Sequence, residues 1–204
     1  MNAFIFDLET TGLNPYHDSI IEIAIKKFNE DISYETFVKP SNLYDGKFVP
    51  KLITEITKIT HEDIKNNGIS QFMACQYFFK FLSKNTDKEG NIYLIAHNGI
   101  SFDMIFIYNL LKKFVNSSPE EKSIKYINIY NRIKCIDTLF LSKYLLPNRG
   151  SYTQSSLCHT YSIHQENPHR AKGDVEDLEK LYIKLLEIIN TDNHDQVYCL
   201  LNTL

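Results

Sequence analysis

Asp7 and Glu9 stand two residues apart where the apolar run Ala3-Phe4-Ile5-Phe6 ends. Alternation along a strand puts both carboxylates on one face. Asp103 comes shortly after a second apolar run, Ile92-Tyr93-Leu94-Ile95-Ala96, and His169 and Asp174 open a strongly periodic segment that ends near Ile189. Four carboxylates crowded together repel, and some stay protonated unless cations neutralise them. All-oxygen ligation fits Mg2+ or Mn2+ and does not fit zinc, which normally takes Cys or His. His169, five residues ahead of Asp174 on a loop ended by Gly173, adds a base that can lean over whatever Asp174 binds. Together these residues point to phosphodiester hydrolysis.

Taken singly, each residue has a plainer meaning. A D-x-E pair matches many proteins by chance, and Asp103 or Asp174 alone would complement the positive end of a helix dipole. Their order along one chain carries the argument. His97 and Asn98 read as structural residues of a turn, and His17, His61, His159, His164 and His194 have no partner assignable from spacing.

Several elements must position these groups. Residues 3–9, 19–28 and 32–39 read as strands, the second with Ile at 21, 23 and 25. The links Gly12-Leu13-Asn14-Pro15 and Asn29-Glu30-Asp31 are short enough for an antiparallel meander. Helices follow over 61–66 and 71–82, the latter with Phe72, Cys75, Phe78, Phe79 and Leu82 on one stripe. A strand over 91–97 leads into a helix over 101–114, and a fifth strand falls within 126–136, ending near Cys135-Ile136. Helices over 139–145, 155–161 and 171–189 complete the pattern. In the last, Val175, Leu178, Leu181, Tyr182, Leu185, Ile188 and Ile189 form an apolar stripe. Strands first, then strands alternating with helices, predict an α/β fold with a mixed sheet covered by helices. Residues 116–123 and the tail after Asn190 are expected to be the loose pieces.

With 204 residues and 43% hydrophobic content, the chain fits one domain able to bury its own core. Cys75, Cys135, Cys158 and Cys199 lack metal-finger spacing and read as reduced packing residues of an intracellular protein. No secretory leader or bilayer-length apolar run is present, so the expected setting is the cytosol or nucleus, with no membrane contact. A net charge of −3 and a pI near 6.2 argue against coating long stretches of duplex. Lys122, Lys125, Arg132 and Lys134 could guide a strand, although a solvated loop is the commoner meaning.

Three motifs then resemble the DEDDh family of 3′→5′ exonucleases, the group of the polymerase III proofreading subunit and TREX-type enzymes. They are Phe6-Asp7-Leu8-Glu9-Thr10-Thr11-Gly12-Leu13, Ala96-His97-Asn98-Gly99-Ile100-Ser101-Phe102-Asp103 and His169-Arg170-Ala171-Lys172-Gly173-Asp174. Arg170 stands where the tyrosine branch of the family has its tyrosine, so His169 marks the histidine branch. Ile59-Thr60-His61-Glu62-Asp63 looks like the family's cleft-lining segment, with less specificity.

The resemblance implies a ribonuclease H-like fold with a five-stranded mixed sheet, the site at one edge, and an exonuclease domain over residues 1–189 followed by a tail over 190–204. It implies two Mg2+ or Mn2+ ions: Asp7 bridging both, Glu9 and Asp174 completing one, Asp103 holding the other directly or through water. His169 would take the proton from the attacking water. Main-chain groups near Thr10 would meet the terminal 3′ hydroxyl, Leu13 and Ile59 would wedge against terminal bases, and Phe102 would pack beside the ions. The implied partners are DNA 3′ ends and a polymerase or repair complex. An RNA-directed member of the same group and a catalytically silent binding module are the competing readings. The second predicts a lost ligand, and none of the five residues is missing.

Overall fold

The computed structural model describes residues 2–43, 46–166 and 168–191. Strand β1 (Ala3–Thr10) lies inside a six-stranded sheet. It pairs antiparallel with β2 (Ile20–Lys27), and β2 with β3 (Ser33–Lys39), giving the expected meander. On the other side of β1 lie the parallel strands β5 (Ile92–Ala96) and β6 (Ile133–Asp137). A two-residue strand, β4 (Ile69–Ser70), adds a sixth member beside β3. The order is β4-β3-β2-β1-β5-β6. A strand of two residues, the second of them the serine that caps α3, is too short to carry a periodic signal, which is why the sequence predicts only five strands.

The helices are α1 (Lys51–Thr57), α2 (His61–Asn67), α3 (Gln71–Asn85), α4 (Asp103–Asn116), α5 (Glu120–Tyr130), α6 (Thr138–Leu145), α7 (Gln154–Thr160) and α8 (Ala171–Thr191). Alternation along β1 assigns its two faces. Phe4, Phe6 and Leu8 pack with Phe78, Phe79 and Leu82 of α3, Phe106, Leu110 and Phe114 of α4, and Tyr126 and Ile129 of α5. Ala3 and Ile5 face the other layer, with Leu157 of α7 and Val175, Leu178, Leu181 and Leu185 of α8. Burying each large side chain contributes about 1.5–3 kcal/mol. The odd-numbered face is the one on which Asp7 and Glu9 also lie, so the register that fills the core aims both carboxylates toward α8.

Three elements depart from expectation. Residues 120–130 are helical rather than loose or extended. Pro119 and the acidic pair Glu120-Glu121 open the helix, and Ser123, Tyr126 and Ile129 bury one face at helical spacing. The short α1 has no sequence signature beyond Pro50 before its first turn. Phe72 is only partly covered at 39% exposure, and Ala74 takes its place among the buried residues of α3. The predicted tail over 190–204 lies outside the described residues apart from residues 190 and 191, which end α8. Cys75 and Cys158 are buried and Cys135 half-buried, all three free, with burial pushing their thiols up to about 12, 11 and 12 respectively. They are unreactive packing groups. Among the described residues no helix is long and apolar enough to cross a membrane.

Candidate active site

The two strands of the β1–β2 pair shift register between Glu9 and Thr10. Beyond that irregularity residues 11–18 fold into a loop held by Asp18. Its carboxylate accepts from the Thr11 hydroxyl at 3.1 Å and the Asn14 N–H at 2.9 Å. A Cβ on Gly12 would sit 2.5 Å from this carboxylate, so only glycine lets Asp18 close the turn. The Thr10 hydroxyl is committed to the Gly12 carbonyl at 2.7 Å, which leaves main-chain groups as what this position can offer a ligand. Leu13 projects from the loop at 84% exposure.

Asp103 comes from the opposite layer. Parallel pairing of β1 with β5 ends at Ile5 and Ile95. Farther along β1 the Leu8 N–H meets the Asp103 carboxylate. The turn between β5 and α4 is fixed by Asp137, whose carboxylate accepts from the N–H groups of Asn98 at 3.0 Å and Ile100 at 3.1 Å. His97 contacts the Thr138 hydroxyl and the Tyr152 carbonyl, both at 2.9 Å, and burial lowers its pKa. His97 is therefore structural, as its position in the sequence suggests, while Asn98 enters the turn through its main chain, at φ +64°. Phe102, half-buried, packs on Phe106 with ring centroids 5.0 Å apart, immediately before Asp103.

Asp174 lies in the first turn of α8. Its carboxylate receives the His169 N–H, and Gln154 of α7 donates to its carbonyl at 2.9 Å and its carboxylate at 3.4 Å. His169 is exposed and left-handed at φ +63°, a conformation less costly for His than for most residues with a Cβ. Ligand oxygens of Asp7, Glu9 and Asp174 all lie within 4.8 Å of one another. Asp103 is outside that tight group, but its charge acts on Asp7, and its Oδ1 is buried with no hydrogen-bond partner among the described residues. The site occupies the C-terminal end of an interior strand, a correction to its expected place at an edge of the sheet.

Ile59 requires a second correction. It is wholly buried with Ile21, Val49 and Ile64, so its side chain is core and presents nothing to a base. Thr60 and Asp63 beside it form a capping box that starts α2. Arg132 also leaves the list of strand-guiding cations, because its guanidinium binds the carbonyls of Asp87, Glu89 and Gly90. One residue the motifs missed is Glu22, buried opposite Glu9 on β2. A lone acid inside Ile20-Ile21-Glu22-Ile23-Ala24-Ile25 is itself a signal, because a buried charge needs a partner.

Burial and mutual repulsion hold the site's acids protonated well into the neutral range. Glu9 rises to about 8 through desolvation, then Asp174 and Glu22; Asp103 rises to about 7 and Asp174 to about 6, each chiefly through desolvation. Asp7 moves up well above its ordinary value, from burial first and then the charges of Asp103, Glu9 and Asp174. The unfolded chain loses these protons near pH 4, whereas the folded chain keeps them until about 6 to 8. The folded state thus binds more protons across that window, and the site's contribution to stability falls as pH rises through it. Divalent cations should cancel the repulsion. We expect Mg2+ or Mn2+ at 100-fold over its Kd at pH 8 to add about 2.7 kcal/mol there, several degrees in Tm, and the same cation concentration to give a smaller Tm gain at pH 5.5, where protons compete for the carboxylates. Equal gains in differential scanning fluorimetry would contradict this.

Comparison with known proteins adds the following. The RNase T family, described as Exonuclease, matches residues 4–182. PolC-type DNA polymerase III of Mycoplasma genitalium is 35% identical over 182 residues, 87% of this chain and 11% of that protein. Its counterpart in Bacillus subtilis is 30% identical over 186 residues, 90% of this chain and 11% of that protein. This chain thus spans about a ninth of the length of either relative. A zinc-bound complex of E. coli exonuclease I with single-stranded DNA superposes with a TM-score of 0.70 at 16% identity, over 98% of this chain and 42% of that one. At that identity the likeness speaks for the fold.

Proposed function

This chain belongs to the RNase T exonuclease family, and we propose that it is a divalent-cation-dependent 3′→5′ exonuclease domain that removes nucleoside 5′-monophosphates from DNA. The observation that carries this reading is the convergence of Asp7 and Glu9 from β1 with Asp174 from α8, ligand oxygens within 4.8 Å. The donors fit hard cations: all are carboxylate oxygens, their protons are held by burial and repulsion, and Asp103 Oδ1 has no hydrogen-bond partner among the described residues. Asp7, Glu9, Asp174 and Asp103 would hold two Mg2+ or Mn2+ ions. Bound there, the ions supply the positive charge that activates water and stabilises the departing 3′ oxygen.

The rest falls to the chain's own groups. The His169 imidazole takes a proton from the water oxygen that attacks phosphorus, a general-base role worth about 10²–10⁴-fold. The bond from phosphorus to the penultimate 3′ oxygen breaks, that oxygen takes a proton from solvent water while His169 returns its own to solvent, and the last nucleotide leaves with its 5′ phosphate. Leu13 offers an exposed apolar wedge to the terminal base, Phe102 supports the site from behind, and main-chain groups near Thr10 receive the 3′ hydroxyl. Apolar contact reads no sequence, so base preference should be slight.

DNA is favoured over RNA because the relatives are named as DNA polymerases and the solved neighbour holds single-stranded DNA. By the same names, a polymerase is the proposed working partner. The test incubates 5′-labelled single-stranded DNA and RNA with Mg2+, Mn2+ or Zn2+, and with EDTA. A ladder shortening from the 3′ end of DNA in Mg2+ or Mn2+, absent in EDTA, is expected. Faster loss of RNA would favour the RNA-directed reading, internal cuts would refute exonuclease polarity, and inertness of the folded, cation-supplied chain would favour a silent module.

A further inference from the structure

We infer that Glu22 and Arg170 form a positioning clamp that aims His169 at the site, an inference that rests on the general-base role given to His169 above. Arg170 follows His169 directly and crosses from the start of α8 to the sheet. Its Nη2 donates to Glu22 Oε1 at 2.8 Å and its Nε to Oε2 at 3.3 Å, a fork-to-carboxylate pairing. The same Oε2 accepts the Ala171 N–H at 2.9 Å, so a strand carboxylate caps the first helical residue. The guanidinium also lies over the Phe37 ring of β3, 5.3 Å from its centroid. Glu22 is 4% exposed and cannot swing away, so these contacts pin residues 170 and 171 to β2.

The pinning acts on the base more than on the cation ligands. Asp7 and Glu9 are fixed by the β1 ladder. Asp174 has a restraint outside the clamp: Gln154 of α7 donates to its carbonyl at 2.9 Å and to its carboxylate at 3.4 Å. His169 is exposed at φ +63°, and the direction of its side chain follows from where residue 170 is anchored. Without Arg170, Glu22 would be a buried charge facing Glu9; without Glu22, the fork and the Ala171 N–H would lose their acceptor. The two residues should therefore behave as one unit.

The experiment measures kcat and KM on single-stranded DNA at saturating Mn2+, with Mn2+ stoichiometry by electron paramagnetic resonance. The variants are Glu22→Gln, Arg170→Gln, the pair together, and each single change combined with His169→Ala. Each single change is expected to lower kcat about 10–100-fold, as loss of a supporting partner typically does. The double variant should be no worse than the slower single one within about threefold, and Mn2+ stoichiometry and KM should hold. In the His169→Ala background, the cost of either change should shrink to less than about threefold. Wild-type rates in the single variants, a cost that persists without His169, or Mn2+ lost in step with rate would each overturn the clamp. Arg170→Gln alters a side chain that is 38% exposed and keeps the test open if Glu22→Gln does not fold. If His169→Ala alone runs at the wild-type rate, the base assignment fails in that single variant; if His169→Ala is slow but the clamp changes still cost rate in it, only the clamp fails.

Discussion

Asp7→Ala should reduce turnover by on the order of 10³-fold or more, because it removes the carboxylate meant to bridge both cations. Asp7 is the centre of the cluster: its proton is held by burial and by the charges of Asp103, Glu9, Asp174 and Glu22 together. The same arithmetic gives an unusual stability result. Deleting a half-buried group crowded by like charges relieves repulsion, so the cation-free variant should melt no lower than the parent while losing most of its cation-induced Tm gain. Rate on labelled DNA and Tm with and without Mn2+ read both effects. A folded Asp7→Ala protein with normal activity would sink the ligand assignment.

His169→Ala should cost about 10²–10⁴-fold in kcat, the usual worth of a general base, and leave cation binding intact. His169 is exposed, ahead of the first turn of α8; charge on its ring draws the Asp174 pKa down, and its main-chain N–H, which the substitution keeps, donates to the Asp174 carboxylate. Removing the ring therefore leaves the carboxylates where they are. Turnover per bound Mn2+ is the discriminating quantity. A variant that loses Mn2+ but keeps its rate per bound ion would make His169 a binding residue and not a base.

Much of this arrangement is legible in the chain, for identifiable reasons. The carboxylates on β1 follow from alternation, because the core side chains Ala3 and Ile5 share their face. Asp174 follows from the long apolar stripe of α8, whose register fixes where the first turn falls. What the sequence hides is tertiary. Ile59 looks like an available apolar contact in a motif, and only the packing of Ile21, Val49 and Ile64 around it removes it from the surface. Tyr126, Ile127, Ile129 and Tyr130 are good strand formers, yet α3 and α4 offer a face that a helix fills. Glu22 and Arg170 are 148 positions apart, a separation at which no local pattern links an acid to its partner.

The cluster's claim to be a cation site is tested most directly by anomalous diffraction from crystals soaked in Mn2+ with a nucleoside 5′-monophosphate. Two manganese peaks are predicted, both against Asp7, one also reached by Glu9 and Asp174 and the other by Asp103. No peak at these carboxylates, with manganese bound elsewhere or not at all, would contradict the account.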